Sequence, residues 1–567
     1  MSNDLNMATS AIGSRRNAAQ LHALADVQRE VRAYDHSSRR KYLREFHQAF
    51  QSYEAIIDEP QLESMIAAAD VLLVADYHAL PTAQRYAASL IEKRAQPGDR
   101  PVVLGVETIF ARHQHILDEW WRREIDADEL RQRIHFAADW GYDWAPFYEL
   151  LVTAREHAEA IYGLDCMPRE DLRKIGARDR HAADKIAEIR GRHPNAVILA
   201  LFGESHLAPH HLPAAVREQL PGARVLTILQ NIDALYWQAT SERQEQVDAV
   251  RVSHDVVCVF NATPLEKYES YRLYLSRWRE EENQPDGSPT VYNLVDGLIR
   301  FLGINQHSPS NTTQPKFLVD LLPEVYGGAS DARLRQLLLR ATGDHKKVDG
   351  MLRKVDAQGC VYLPSVNAFY LREFQMAYAA EEAARFLHHA CRGLPLRRNG
   401  CPLPASERED RFYTRTLEHA LAYFGSRVLY PARPAVREND GAGLSRAACD
   451  RLLQEALRGD RQRFDSVAQD LGYALGSELY DAYVRGGVSR RALRNLFLGH
   501  IDEPGKARAA CREIVRRIRS SRKKPCGSVR GEQGRGHSAF SRRHSAPPQT
   551  SSRIPPFRSG LKRGWCP

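Results

Sequence analysis

The sequence predicts an α/β fold with a mostly parallel central sheet flanked by helices, followed by an all-helical C-terminal domain and a disordered basic tail. Three observations predict it. Apolar runs of buried-strand type alternate with helical patterns from Val71 to about Leu275, which is the signature of a parallel sheet covered on both faces. Beyond about Tyr292 strand signals thin out, and apolar residues recur at three-to-four spacing instead. From Ser520 onward Arg, Ser, Pro and Gly displace apolar residues, leaving too little apolar surface to offset the entropy of ordering.

Taken in order, Leu24–Arg32 and Tyr42–Phe50 set apolar residues at helical spacing with charges between them, so this N-terminal part is expected to cover one side of the sheet. Strands are expected at 71–76, 101–106, 161–165, 196–202 and 223–229, with a last one at Val256–Phe260. Between them fall helices at 82–94, near 110–123, 126–139 and 146–159, and at 179–191 and 211–219; another follows at 264–281. The stretch Gln284–Pro289 reads as a linker. Helical periodicity then resumes, as in Leu294–Leu302 and Glu382–His389. The domain division expected is an N-terminal helical segment at 1–68, an α/β domain at 69–283, a helical domain at 290–519 and the tail at 520–567.

At 567 residues the chain exceeds one ordinary core and needs no covalent staples. Its nine cysteines are scattered and odd in number, and never form a C-x-x-C pair. Such usage fits reduced thiols and leaves His and carboxylates as the ligands of any metal. Residues 1–16 contain no apolar signal core, and no run of about 18 apolar residues occurs. A cytoplasmic protein without a transmembrane segment is expected. The formal charge of +9 belongs to the tail, whose eleven Lys/Arg and one Glu leave the first 519 residues at −1. Salt-sensitive, non-specific attraction to phosphates follows for the tail, with no specific nucleic-acid partner.

Two segments carry the chemistry. Val71–His78 and Ala196–His206 are each apolar runs ending in a small residue, two further residues and a histidine (Ala75-Asp76-Tyr77-His78 and Gly203-Glu204-Ser205-His206). Each delivers His and a carboxylate to a strand's C-terminal edge, where α/β proteins bind ligands. The strand ending in Glu107 and the one ending in Asp165 add two more carboxylates. One pocket is therefore expected to hold Asp76, His78, Glu107, Asp165, Glu204 and His206. Imidazole and carboxylate suit iron, zinc or manganese, and a sheet edge holds them rigidly. No G-x-S-x-G, Walker loop or G-x-G-x-x-G occurs, so serine hydrolysis through a nucleophile elbow and nucleotide binding by these loops are not expected.

Residues 71 to about 275 resemble the ChaN-like haem-binding proteins of the Tiki/TraB/erythromycin-esterase-like superfamily. The resemblance rests on Ala75-Asp76-Tyr77-His78, on Glu107 followed by Phe110-Ala111-Arg112-His113-Gln114, on the helix start Arg178-Asp179-Arg180-His181, and on Gly203-Glu204-Ser205-His206. It implies haem binding tied to iron acquisition, often by a homodimer. His78, Glu107, His206 and Asp76 are carried over as site residues, and Arg178 and Asp179 orient the pocket. Ala75-Asp76 stands where a Gly-Glu pair is more usual in the family.

Two functions follow as expectations. The first is a haem or iron-complex binder with its ligand over the strand ends. The alternative is a metal-dependent hydrolase of ester or amide bonds: His78, His206, Asp76 and Glu107 would hold a divalent ion, and Glu107 or Glu204 would act as general base.

Overall fold

A computed structural model describes residues 2–35, 41–96, 98–166, 175–242, 246–277, 286–304, 322–328, 331–392, 405–436, 446–499, 501 and 503–522. Most of the expected tail, 523–567, and the first two residues of the expected linker, 284 and 285, lie outside the described residues, while Ser288 and Pro289 of that linker open the helix Ser288–Leu302.

Eight strands form the central sheet: β1 (Ala55–Ile57), β2 (Val71–Asp76), β3 (Val102–Phe110), β4 (Ala160–Asp165), β5 (Val197–Gly203), β6 (Val225–Gln230), β7 (Ala249–Ser253) and β8 (Val256–Val259). Their order is β1-β7-β8-β6-β2-β5-β3-β4. The run from β8 to β4 is parallel, and β7 and β1 add an antiparallel edge. Strands β2, β3, β5, β6 and β8 are buried along their whole length, as expected where helices cover both faces. Alternation sorts their side chains: Leu72 and Val74 enter one apolar layer and Val71, Leu73 and Ala75 the other.

The chain leaves β2 for β3, returns from β4 to place β5 between them, then crosses to β6 on the far side of β2. The β2–β5 pair is thus where the winding reverses, the place at which an open α/β sheet leaves a crevice at its strand C-termini. Register sets Asp76 beside Gly203 at that edge. The β3–β4 pairing shifts between Val106 and Phe110, which places Glu107 in an irregular stretch of strand.

The C-terminal region is mainly helical, and the structure adds a three-stranded sheet that the sequence reading lacks: β9 (Glu324–Gly327), β10 (Cys360–Leu363) and β11 (Ala368–Leu371), in the order β10-β11-β9. Helices Ser288–Leu302, Met376–Arg392, Ala405–Leu429, Arg461–Val484 and Lys506–Arg522 share one apolar core. The N-terminal segment divides between two surfaces. Phe46 and Phe50 pack on the sheet, whereas Ala19, Ala23, Val27 and Val31 of the helix Ser2–Tyr34 enter the core of the C-terminal helices. Small residues make that approach close: a side chain at Gly297 would meet Ala23 at 3.2 Å.

Candidate functional site

The strand ends place a network of buried charges at the crevice. The β2 strand ends at Asp76, and the turn that follows returns the imidazole of His78 so that Nδ1 lies 2.6 Å from Asp76 Oδ2. Gln84, from the helix Pro81–Lys93, donates to the other Asp76 oxygen. On the far side, His206 follows β5 in a short 3₁₀ turn, and its Nδ1 is hydrogen-bonded to Asp179. Tyr42 donates to the second Asp179 oxygen at 2.9 Å.

Glu107 lies between the two histidines. His78 Nε2 is 3.6 Å from its Oε2, and His206 Nε2 is 3.8 Å from its Oε1. The Gly203 backbone N–H also donates to Glu107, an approach that the missing side chain permits, since a Cβ there would sit 3.0 Å from Glu107 Oε2 and 3.3 Å from His78 Nε2. Arg178, in the helix Ile175–Arg192, bridges Glu107 at 2.7 Å and makes a fork of two 2.8 Å bonds to Asp165. Burial works against the guanidinium charge, but Asp165 and Glu107 outweigh it and hold the Arg178 pKa above its ordinary value.

The structure therefore brings Asp76, His78, Glu107, Asp165, Arg178, Asp179 and His206 into one buried cluster. Glu204 is not brought in. It turns to the buried Lys267 of the helix Pro264–Arg277, 2.9 Å away. Tyr77 also faces away from His78, with Lys267 Nζ 4.5 Å from its ring centroid. Asp76 stands behind His78 as its hydrogen-bond partner. Among the described residues no group of three or more His, Cys, Asp or Glu is arranged to hold a metal ion.

Sequence reasoning missed Tyr42, Gln84 and Tyr142, whereas Trp140 belongs to a set of aromatics it reads as helix packing that could also line the pocket of a flat ligand. Trp140 and Tyr142 lie 5.3 and 5.1 Å from the His78 ring, centroid to centroid, and form an aromatic wall. Tyr42 and Gln84 fix the two aspartates. None has a local pattern that marks it, because each reaches the cluster from another element.

Chemically the arrangement is a pair of oriented imidazoles. Asp76 and Asp179 fix Nδ1 of each ring, so that each Nε2 is turned toward Glu107. Beside His78 the cluster opens on a cavity of about 80 Å³. Tyr142, Tyr274, Leu273 and Phe374 supply apolar wall, and the charged lining residues are balanced, with Arg277 paired to Asp143, Arg372 to Asp356 and Glu373 to Arg85. The segment 371–374, which ends β11 and continues past it, belongs to the C-terminal region and covers this cavity from outside the α/β unit.

An α/β unit whose polar site lies at its strand C-termini is the class that this fold and site define. Residues 62–199 match the family model described as "Haem-binding uptake, Tiki superfamily, ChaN", so the resemblance read from the sequence holds over that segment. Among solved structures, "Cofacial heme binding to ChaN of Campylobacter jejuni" is similar at 14% identity, covering 31% of this chain and 86% of that one, with a TM-score of 0.25. No curated protein matches the chain. No helix among the described residues is long and apolar enough to cross a membrane.

Proposed function

We propose that the α/β unit is a haem-binding module of ChaN type and that His78, with the aromatic cleft beside it, receives the ligand. The observation that carries this reading is the Asp76–His78 pair opening onto the cavity walled by Tyr142, Tyr274 and Phe374. The match of residues 62–199 to the haem-uptake family supports it. His78 would hold the haem through its imidazole, and the haem would supply an iron centre. The protein's part is to hold His78 through Asp76 and to present aromatic surface to a macrocycle. Iron handling in the cytoplasm by a homodimer completes the proposal.

The donor residues fit haem, but the space as it stands does not. A cavity of about 80 Å³ is well short of the roughly 300–1,000 Å³ of small-molecule sites. Loading would require the cleft to widen, and the 371–374 segment is the part of its lining that comes from the C-terminal region.

The convergence of His78 and His206 on Glu107 is the observation behind the second reading, a metal-dependent hydrolase. Its donors are already committed: Glu107 is engaged by Arg178 and by the Gly203 N–H, and Asp76 by His78 and Gln84. The haem reading is preferred on that ground.

The test is a haemin titration of the full chain, followed in the Soret region, with His78→Ala and His206→Ala in parallel. A saturable shift near one haem per chain with a Kd of about 1 µM, weakened at least about tenfold in His78→Ala, is expected. No saturable shift in the unmodified protein overturns the haem reading, and metal analysis with ester and amide substrates then tests the hydrolase.

A further inference from the structure

The C-terminal helices form a second cavity, open to solvent on one side and much larger than the one beside His78. It measures about 430 Å³, within the range of small-molecule sites. Its inner surface is core. Tyr413, Leu471, Leu475 and Cys511 line it and are all buried residues of the helical cluster, and Val515 packs against them. Burial pushes the Cys511 thiol up from its ordinary pKa, as expected where a wall is dry.

Its outer edge is cationic. Arg512, Arg516 and Arg519 all line the cavity from the helix Lys506–Arg522, and spacings of four and three residues put them on one face. Asp450 is the one carboxylate among the lining residues, and Glu513 of the same helix holds Arg516 in a fork of two 2.7 Å bonds. Apolar depth below a guanidinium rim is the complement of a molecule with a hydrocarbon body and an anionic end, because such a body leaves water while the head keeps a charged partner at the mouth. A cationic occupant is disfavoured, and that includes the chain's own sequence beyond this helix, whose ten Lys/Arg and one Glu between 523 and 567 carry the rim's own sign.

We propose that this cavity is a second ligand site, separate from the strand ends, for an amphipathic carboxylate whose apolar body lies on Leu471, Leu475 and Val515 and whose carboxylate meets Arg512 and Arg519. A long-chain fatty acid and the propionate-bearing edge of haem share this chemistry. The proposal does not depend on the strand-end reading.

The experiment titrates the full chain with a fluorescent C18 fatty acid, then repeats the titration with haemin as competitor. Four proteins are compared: the unmodified chain, Arg512→Glu/Arg519→Glu, Leu475→Phe and His78→Ala. Saturable binding near one probe per chain is expected, weakened at least about tenfold in the arginine double variant and in Leu475→Phe, and retained in His78→Ala. Rim charge is exposed, so the double variant reports on binding even where the cavity-filling Phe perturbs folding. Haemin that displaces the probe from His78→Ala identifies haem as a ligand of this site, whereas probe binding that haemin leaves intact identifies the fatty acid; either supports the class. No saturable uptake of either molecule, or uptake that neither the double variant nor Leu475→Phe weakens, overturns the proposal.

Discussion

Arg85 and Glu373 form a 2.7 Å ion pair that ties the helix Pro81–Lys93 to the segment following β11, beside the cavity that His78 lines. Glu149 shares the same guanidinium at 3.1 Å. Both partners of the Arg85–Glu373 pair are more than a third exposed, so the pair adds at most about 1 kcal/mol to global stability. Its position matters more, because it pins the strip of chain that keeps the cleft at its present size.

Glu373→Gln is therefore expected to change the unfolding midpoint little and to speed haemin association severalfold, since the closed segment opens more often. Stopped-flow mixing at several haemin concentrations measures this. An unchanged association rate with unchanged affinity sinks the idea that 371–374 gates the cleft.

Arg178 neutralises two buried carboxylates, Glu107 and Asp165. Arg178→Met leaves both without their cation and is expected to cost about 3–5 kcal/mol. Adding Glu107→Gln and Asp165→Asn to that variant removes the stranded charges and should recover a large part of the loss. Urea unfolding of the single and triple variants decides the matter. A single variant within about 0.5 kcal/mol of the parent would show the network to be hydrated and of little structural weight.

How much of this was legible beforehand varies with how far a feature depends on distant chain. Strands β2, β3 and β5 announce themselves as continuous apolar runs because both faces are covered, and that made His78, Glu107 and His206 visible as strand-end residues. Strand β7 is half-polar (Ala-Val-Arg-Val-Ser) and only five residues long, and β9 to β11 span four residues each. Such short segments carry no period that separates them from loops. Arg178 and Asp179 sit in an ordinary-looking helix start and were read through the family resemblance alone. The direction of Glu204 was misjudged because one step along the backbone after Gly203 turns the carboxylate toward Lys267, a partner 63 residues away that strand logic does not reveal.

Gly203 is where the backbone and the network come closest. Gly203→Ala places a methyl 3.0 Å from Glu107 Oε2 and 3.3 Å from His78 Nε2, so one of them has to move. A destabilisation of about 1–3 kcal/mol is expected, with weaker haemin binding because His78 shifts. Urea unfolding and a Soret titration read the two effects separately, and a variant identical to the parent in both would show that the cluster has slack at this point.

Glu266 gives a pH dependence whose sign is fixed. It lies in the helix Pro264–Arg277 and is buried. Burial pushes its carboxyl up to about 7, with hydrogen bonds from Tyr430 and Thr263 opposing the rise. The ordinary value is 4.5, so between the two the folded state keeps a proton that the unfolded state has released. Stability from this group is complete below about pH 4.5 and is lost as pH rises through about 7, a total of about 3 kcal/mol. Glu266→Gln keeps the shape and cannot ionise. Urea unfolding of parent and variant should therefore agree closely near pH 4.5, whereas at pH 8 the variant should be more stable by up to that amount. A stability difference that stays constant from pH 4.5 to 8 would mean that Glu266 titrates alike in both states and that its burial carries no proton linkage.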